Sequence, residues 1–118
     1  MMITLFGISN CDTVRKARRW LDQQGLDHCF HDYRKKGCEQ ELIQKMLRHF
    51  NLDDLINRRG TTWRSLPKTI RESMDEKAAI ALMRENPALI KRPIAQSGRL
   101  WLLGFNEAHW RSALLTKK

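Results

Sequence analysis

The chain has 118 residues and a net charge of +9, from 22 lysines and arginines against 13 aspartates and glutamates. This length suits one compact domain, and an apolar fraction of 42% is enough for a single core. No run approaches the roughly 20 apolar residues of a membrane span. The first residues also lack the basic start and cleavage site of a secretion signal. We therefore expect a cytoplasmic protein that does not associate with membranes.

The positive charge favours anionic partners such as nucleic acid, phosphates or carboxylate-rich peptides. The lysines and arginines are spread along the chain instead of being concentrated in one arm. For that reason we do not expect nucleic-acid binding to be the main function.

The first third of the chain predicts a strand, a helix and a second strand. Residues 2–8 form a short, mostly apolar run that leads into a polar turn, as in a buried strand. From Thr13 the apolar residues recur with a helical period, and Gly25 favours the end of that helix. Residues 28–33 alternate as a second strand, in which Cys29 is expected to be in the core or half-buried.

The middle of the chain predicts several helices. Residues 39–50 have a continuous apolar face, and residues 52–56 add a short helical turn before the polar, loop-like residues 58–62. Ser73 and Glu76 fit a capping box at the start of a further helix, whose inward stripe consists of Ala79, Leu82 and Met83.

The last third predicts a hairpin and a helix. Residues 94–96 and 99–103 are expected to form two strands joined by a turn at Ser97-Gly98. Asn106 is a good N-cap for a last helix that continues to about Leu115. The order βαβ…ββα predicts an α/β, thioredoxin-like fold in a single domain over residues 1–118, with a helical insertion at about 36–88. The first and last helices are expected to cover the faces of its sheet.

Cys11 lies where the first strand ends and the first helix begins. A helix N-terminus carries unpaired N–H groups and a partial positive charge, which favour the nucleophilic thiolate over the thiol. Asn10 and Thr13 are expected to donate hydrogen bonds to the sulfur, and Arg15 follows one helical turn later. A cysteine is often a small core residue instead. The polar, turn-like context of Cys11 favours a reactive thiol.

The chain has three cysteines, an odd number that does not suit a disulfide framework. Neither a CxxC pair nor a cysteine–histidine cluster with zinc-site spacing is present, so we expect no metal. Cys38 follows Lys35-Lys36-Gly37 and is expected to be exposed.

Four segments resemble the ArsC/Spx family. They are residues 10–21 (NCDTVRKARRWL), 58–64 (RRGTTWR), 90–94 (IKRPI) and 103–105 (LGF). The family comprises glutaredoxin-coupled arsenate reductases, Spx-type transcriptional regulators and YffB-type proteins proposed to be glutathione-dependent thiol reductases. The RRGTTWR and LGF segments are most similar to the YffB type.

The resemblance implies a thioredoxin-like fold in which Cys11 is the catalytic cysteine. Arg92 matches the arginine of the family's "RP" motif, and Pro93 matches a proline expected to follow a cis peptide bond.

The sequence also departs from the family pattern. Val14 stands in place of the second cysteine of Spx-type proteins, and Gly7 stands in place of a histidine before the catalytic loop. Of the three arginines of arsenate reductases, one matches Arg92, Arg59 is the stand-in for another, and Gly104 lies about where the third is expected.

We predict a monothiol, glutathione-dependent thiol-disulfide oxidoreductase. Glutathione is its co-substrate, and its two carboxylates would be held by Arg15, Arg59 and Arg92. One alternative is an arsenate reductase coupled to glutathione or glutaredoxin. Another is an Spx-like regulatory module that binds RNA polymerase. A third is an inert structural domain in which Cys11 has ordinary reactivity.

Overall fold

A computed structural model describes residues 2–115 and divides the chain into two compact units. The first unit combines the chain up to Asp32 with the segment from Arg92 onward, and the second is Tyr33–Lys91. None of the helices over residues 2–115 has the length and apolar character needed to cross a membrane.

The first unit holds all four strands of the sheet and two helices. Its elements in chain order are β1 (Ile3–Gly7), α1 (Asp12–Gln23), β2 (His28–Asp32), β3 (Ile94–Ser97), β4 (Leu100–Leu103) and α8 (Glu107–Leu115). The strand order is β2-β1-β3-β4. Strand β1 is parallel to β2 and antiparallel to β3, and β3 is antiparallel to β4.

The hairpin between β3 and β4 turns one residue later than expected. Ser97 pairs with Leu100, so the two turn residues are Gly98 and Arg99 instead of Ser97 and Gly98. Gly98 has a φ of 60° and is the first turn residue, as a type II′ turn requires.

Helices α1 and α8 pack on the same face of the sheet. Leu5, Ala95 and Leu102 are neighbours across three strands, and all three belong to one buried cluster with Trp20 of α1 and Trp110 of α8. The expectation that these helices cover the two faces between them is therefore wrong. The N-cap expected at Asn106 is confirmed, because its Oδ1 accepts a hydrogen bond from the N–H of His109 at 3.0 Å.

The second unit is helical. Its helices are α2 (Tyr33–Lys36), α3 (Gln40–His49), α4 (Leu52–Leu55), α5 (Thr61–Arg64), α6 (Lys68–Glu72) and α7 (Glu76–Glu85), followed by a 3₁₀ turn at Pro87–Leu89. Helices α3 and α7 contact each other, and their apolar stripes explain why: Ile43, Met46, Ala79, Ile80 and Met83 are buried.

Helix α7 is capped by Asp75, not by Ser73 as the capping-box pattern indicated. The Asp75 carboxylate accepts a hydrogen bond from the N–H of Ala78 at 2.8 Å, whereas the Ser73 hydroxyl donates to the Thr69 carbonyl at the end of α6. Of the predicted inward stripe, Ala79 and Met83 are buried and Leu82 is only half-buried, whereas Ile80 is buried as well.

A short backbone bridge ties two distant segments of the second unit together. Ile56 and Ile90 form an antiparallel bridge. On either side of it, the N–H of Asn57 donates to the Leu89 carbonyl and the N–H of Lys91 donates to the Leu55 carbonyl, both at 2.7 Å. Lys91 is thereby held beside the loop that carries Arg58 and Arg59.

Candidate functional site

Cys11 occupies the N-cap position of α1, directly after the loop that leaves β1. Its backbone is extended, with φ −119° and ψ 125°. Its carbonyl oxygen already accepts the first helical hydrogen bond, from the N–H of Arg15 at 2.9 Å. The side chain is half-buried, so the sulfur is reachable from solvent.

The pKa of the Cys11 thiol lies below its ordinary value. Burial alone raises this pKa, but the backbone N–H of Val14, the guanidinium of Arg92 and the backbone N–H of Thr13 together outweigh burial. The Cys11 side chain makes no capping hydrogen bond. The two N–H groups and the guanidinium therefore lower the pKa by stabilising the negative charge of the thiolate. A thiolate is the reactive form of cysteine, and the site therefore favours nucleophilic attack by Cys11.

Arg92 and Pro93 lead into β3, which is antiparallel to the strand that precedes Cys11. The Arg92–Pro93 peptide bond is cis, as the sequence resemblance implied. Pro93 is buried, and its carbonyl accepts a hydrogen bond from the N–H of Gly104 at 2.7 Å. The Arg92 guanidinium faces the Cys11 sulfur and contributes to the lowered pKa of the thiol.

Gly104 has a φ of 71°, in the left-handed region that a side chain rarely adopts. Its carbonyl oxygen accepts a hydrogen bond from the indole N–H of Trp110 at 2.9 Å. With this backbone conformation, an arginine at position 104 would be strained.

The other sequence-predicted residues of the α1 loop lie around Cys11 but are exposed. Asn10 and Thr13 are exposed, and Thr13 contributes its backbone N–H to the sulfur. The Arg15 guanidinium pairs with the Asp12 carboxylate and donates to the Ser9 carbonyl at 3.4 Å. Exposed ion pairs contribute about 0–1 kcal/mol, so an anionic ligand can recruit Arg15 at little cost.

Arg59 lies in the second unit and lines a cavity of about 290 Å³ together with Lys91 and Asp54. Neighbouring Arg58 is already engaged, because it pairs with Asp53 at 2.8 Å and its guanidinium carbon lies 5.3 Å from the centre of the Trp63 ring. Within residues 2–115, the side chains of Arg59 and Lys91 have no ion pair. The sequence analysis predicted no role for Lys91, although its position directly before Arg92 could have indicated one.

The expected exposures of the other two cysteines are both wrong. Cys29 is exposed, near the Thr4 hydroxyl, and lies on the opposite face of β2 from Phe30, which packs against the cluster beneath α1 and α8. Cys38 is buried at 6% exposure, and burial followed by the charge of Glu39 raises its pKa to about 12. Both effects favour the protonated thiol at Cys38 in the folded chain.

The described part of the chain contains no group of three or more histidine, cysteine, aspartate or glutamate side chains that could hold a metal ion.

Comparisons with known proteins agree on the kind of protein. The ArsC family profile matches residues 6–113. The chain is 43% identical over 112 residues to an uncharacterised protein of Haemophilus influenzae, covering 95% of this chain and 98% of that protein. It is 29% identical over 115 residues to the global transcriptional regulator Spx of Streptococcus mutans, covering 96% of this chain and 83% of the regulator.

Two solved structures are similar over almost their whole length. The YFFB protein superposes with a TM-score of 0.90 and 38% identity, covering 95% of this chain and 98% of that one. An arsenate reductase (ArsC) related protein from Brucella melitensis superposes with a TM-score of 0.79 and 38% identity, covering 99% of this chain and 97% of that one.

The mixed sheet and the cysteine at the start of the first helix define a protein of the thioredoxin-like fold. Because the family profile spans most of its length, the chain belongs to the ArsC family.

Proposed function

We propose that this protein is a monothiol thiol-disulfide oxidoreductase of the cytoplasm that uses glutathione as its co-substrate and Cys11 as its only nucleophile. The single observation that carries the proposal is the lowered pKa of Cys11 beside Arg92. Val14 takes the place of a second motif cysteine and is fully buried, and Cys38 is held as a protonated thiol. A monothiol route is the simplest that fits these side chains.

The reaction consists of two balanced exchange steps. In the first, the Cys11 thiolate attacks the glutathione sulfur of a mixed disulfide; a Cys11–glutathione disulfide forms and the substrate leaves as a thiolate. In the second, the thiolate of another glutathione attacks this disulfide at its glutathione sulfur, which releases oxidised glutathione and the Cys11 thiolate. The two electrons that reduce the substrate therefore come from glutathione.

Arg92 has two roles in this scheme. As a hydrogen-bond donor to the Cys11 sulfur it favours the thiolate before attack. In the second step it stabilises the same sulfur as a leaving group, because a leaving thiolate of low pKa departs faster.

Arg15 and Arg59 are proposed as carboxylate-binding residues, and Lys91 lines the same cavity as Arg59. Arg59 and Lys91 have no ion pair with other side chains of the described chain, so they can bind a carboxylate without first breaking one. Arg15 would exchange its exposed bond to Asp12 for a bond to the ligand. Asn10 and Thr13 are proposed to contact the part of the ligand nearest Cys11, and both are exposed.

The test is steady-state reduction of a glutathione mixed disulfide of a small thiol, coupled to glutathione reductase. We expect turnover by the wild type and by the Cys29→Ser/Cys38→Ser variant, and none by Cys11→Ser. Turnover that survives in Cys11→Ser, or that disappears in the double variant, would contradict the proposal.

Arsenate reduction is a second candidate, favoured by the similarity to an arsenate reductase related protein of known structure. Gly104 in place of the third arginine disfavours it, because a tetrahedral oxyanion loses one of its three cationic partners. The assay is arsenate-dependent oxidation of NADPH with glutathione and glutaredoxin present. A rate comparable to the mixed-disulfide rate would favour arsenate as the substrate.

The 29% identity to an Spx regulator supports a third candidate, a module that binds RNA polymerase. Its test is co-purification of this chain with RNA polymerase. Binding that is unaffected by Cys11→Ser, together with no turnover of the mixed disulfide, would favour this candidate over the oxidoreductase.

A further inference from the structure

Gly7, the last residue of β1, lies directly against Val14, the third residue of α1. A Cβ added to Gly7 would lie 2.8 Å from Cγ2 of Val14 and 3.6 Å from its Cγ1. Real Cβ atoms do not approach other atoms within 3.0 Å. Gly7 does not have a positive φ, so it is the space beside Val14, and not the backbone conformation, that requires glycine here.

A side chain at position 7 would collide with Val14. Val14 is β-branched, and in a helix a valine is held in one strongly preferred rotamer, so its methyl groups do not rotate aside. Strand β1 is an inner strand, with β2 on one side and β3 on the other, and Gly7 itself is in register with Asp32 of β2. A side chain at position 7 would therefore press on Val14 and on the first turn of α1, which also holds Thr13.

We propose that Gly7 is a positioning residue for Cys11: the absence of its side chain lets Val14 dock against β1, and this docking aims the N–H groups of Thr13 and Val14 at the Cys11 sulfur. The proposal rests on the proposed function of Cys11 as the nucleophile. Positions 7 and 14 are also two of those at which the chain departs from the family pattern. In this chain Val14 leaves no room for a histidine at position 7.

The test is a double-mutant cycle read out by the pKa of Cys11. Wild type, Gly7→Ala, Val14→Ala and Gly7→Ala/Val14→Ala are prepared in the Cys29→Ser/Cys38→Ser background, and the rate of alkylation by iodoacetamide is measured against pH. We expect Gly7→Ala to raise the pKa by about 0.5–1 unit in the presence of Val14 and by less than about 0.2 unit in the Val14→Ala background.

An equal shift in both backgrounds, or no shift in either, would overturn the proposal. If Gly7→Ala does not fold by itself, the double variant still decides: the proposal requires it to fold and to have the same pKa as Val14→Ala. An ordinary Cys11 pKa in the wild type would instead count against the proposed function. The Gly7 proposal is tested separately, because the cycle measures only differences in pKa between variants.

Discussion

Replacing Arg92 by glutamine removes the cation beside the Cys11 sulfur but keeps a side chain of similar length. A hydrogen bond to a charged group contributes about 1.5–3 kcal/mol, and one pKa unit corresponds to about 1.4 kcal/mol. Cys11 is half-exposed, and solvent screens its interaction with Arg92. We therefore take the low end of this range and expect the pKa of Cys11 to rise by about one unit.

The consequence for reactivity changes sign with pH. Below both pKa values the variant has about tenfold less thiolate, but its more basic thiolate is about threefold more nucleophilic, since the Brønsted slope is about 0.4–0.5. Arg92→Gln should therefore react about threefold more slowly at a pH below both pKa values and about threefold faster at a pH above both.

The assay is the rate of disulfide exchange with a neutral dithiodipyridine, followed by absorbance over a wide pH range in the Cys29→Ser/Cys38→Ser background. Arg92→Lys is the matched control: it keeps the charge without the planar guanidinium, and its curve should lie between the other two. Superimposable curves for wild type and Arg92→Gln would refute the reasoning, as would a variant that is slower at every pH.

Three other predictions concern the rest of the chain. Burial raises the pKa of Cys38 to about 12 in the folded chain. As the pH rises, this thiol therefore loses its proton at a lower pH in the unfolded chain than in the folded chain. Between about pH 9 and 12 Cys38 should lower the free energy of unfolding by up to about 1.4 kcal/mol per pH unit, and Cys38→Ala should make the slope in urea titrations shallower by that contribution. Asp75→Ala should destabilise the protein by about 1 kcal/mol through loss of the α7 cap, whereas Ser73→Ala should change unfolding by less than about 0.5 kcal/mol. Arg59→Gln should raise the KM for glutathione severalfold with little change in kcat, and Arg58→Gln, whose side chain is already paired with Asp53, should not.

The features that carry the candidate site were predictable because they are local in the sequence. The apolar run before Cys11 and the helical period after it predict a strand, a loop and a helix, and this arrangement alone places the cysteine at a helix N-terminus. The observed N-cap position of Cys11 follows directly from it. The Asn106 cap and the hairpin were predictable for the same reason, although the turn is displaced by one residue.

Burial of the other cysteines was not predictable, because it depends on which surface a distant segment covers. Strand periodicity separates Cys29 from Phe30 but does not reveal which face of β2 the helices cover. Cys38 stands among polar neighbours in the sequence and is nevertheless buried. In the same way, the apolar periodicity of α1 and α8 did not indicate that both helices pack on the same face of the sheet. Their contact, between Trp20 and Trp110, exists only in the folded core.

The most direct test of the account is a single-turnover experiment on the Cys29→Ser/Cys38→Ser protein. The protein is mixed with a stoichiometric glutathione mixed disulfide and analysed by intact-protein mass spectrometry before and after addition of reduced glutathione. The account predicts one glutathione on Cys11, formed within the turnover time and released by the added thiol. Absence of this adduct, or an adduct that reduced glutathione does not release, would contradict the claim that Cys11 acts as a monothiol nucleophile.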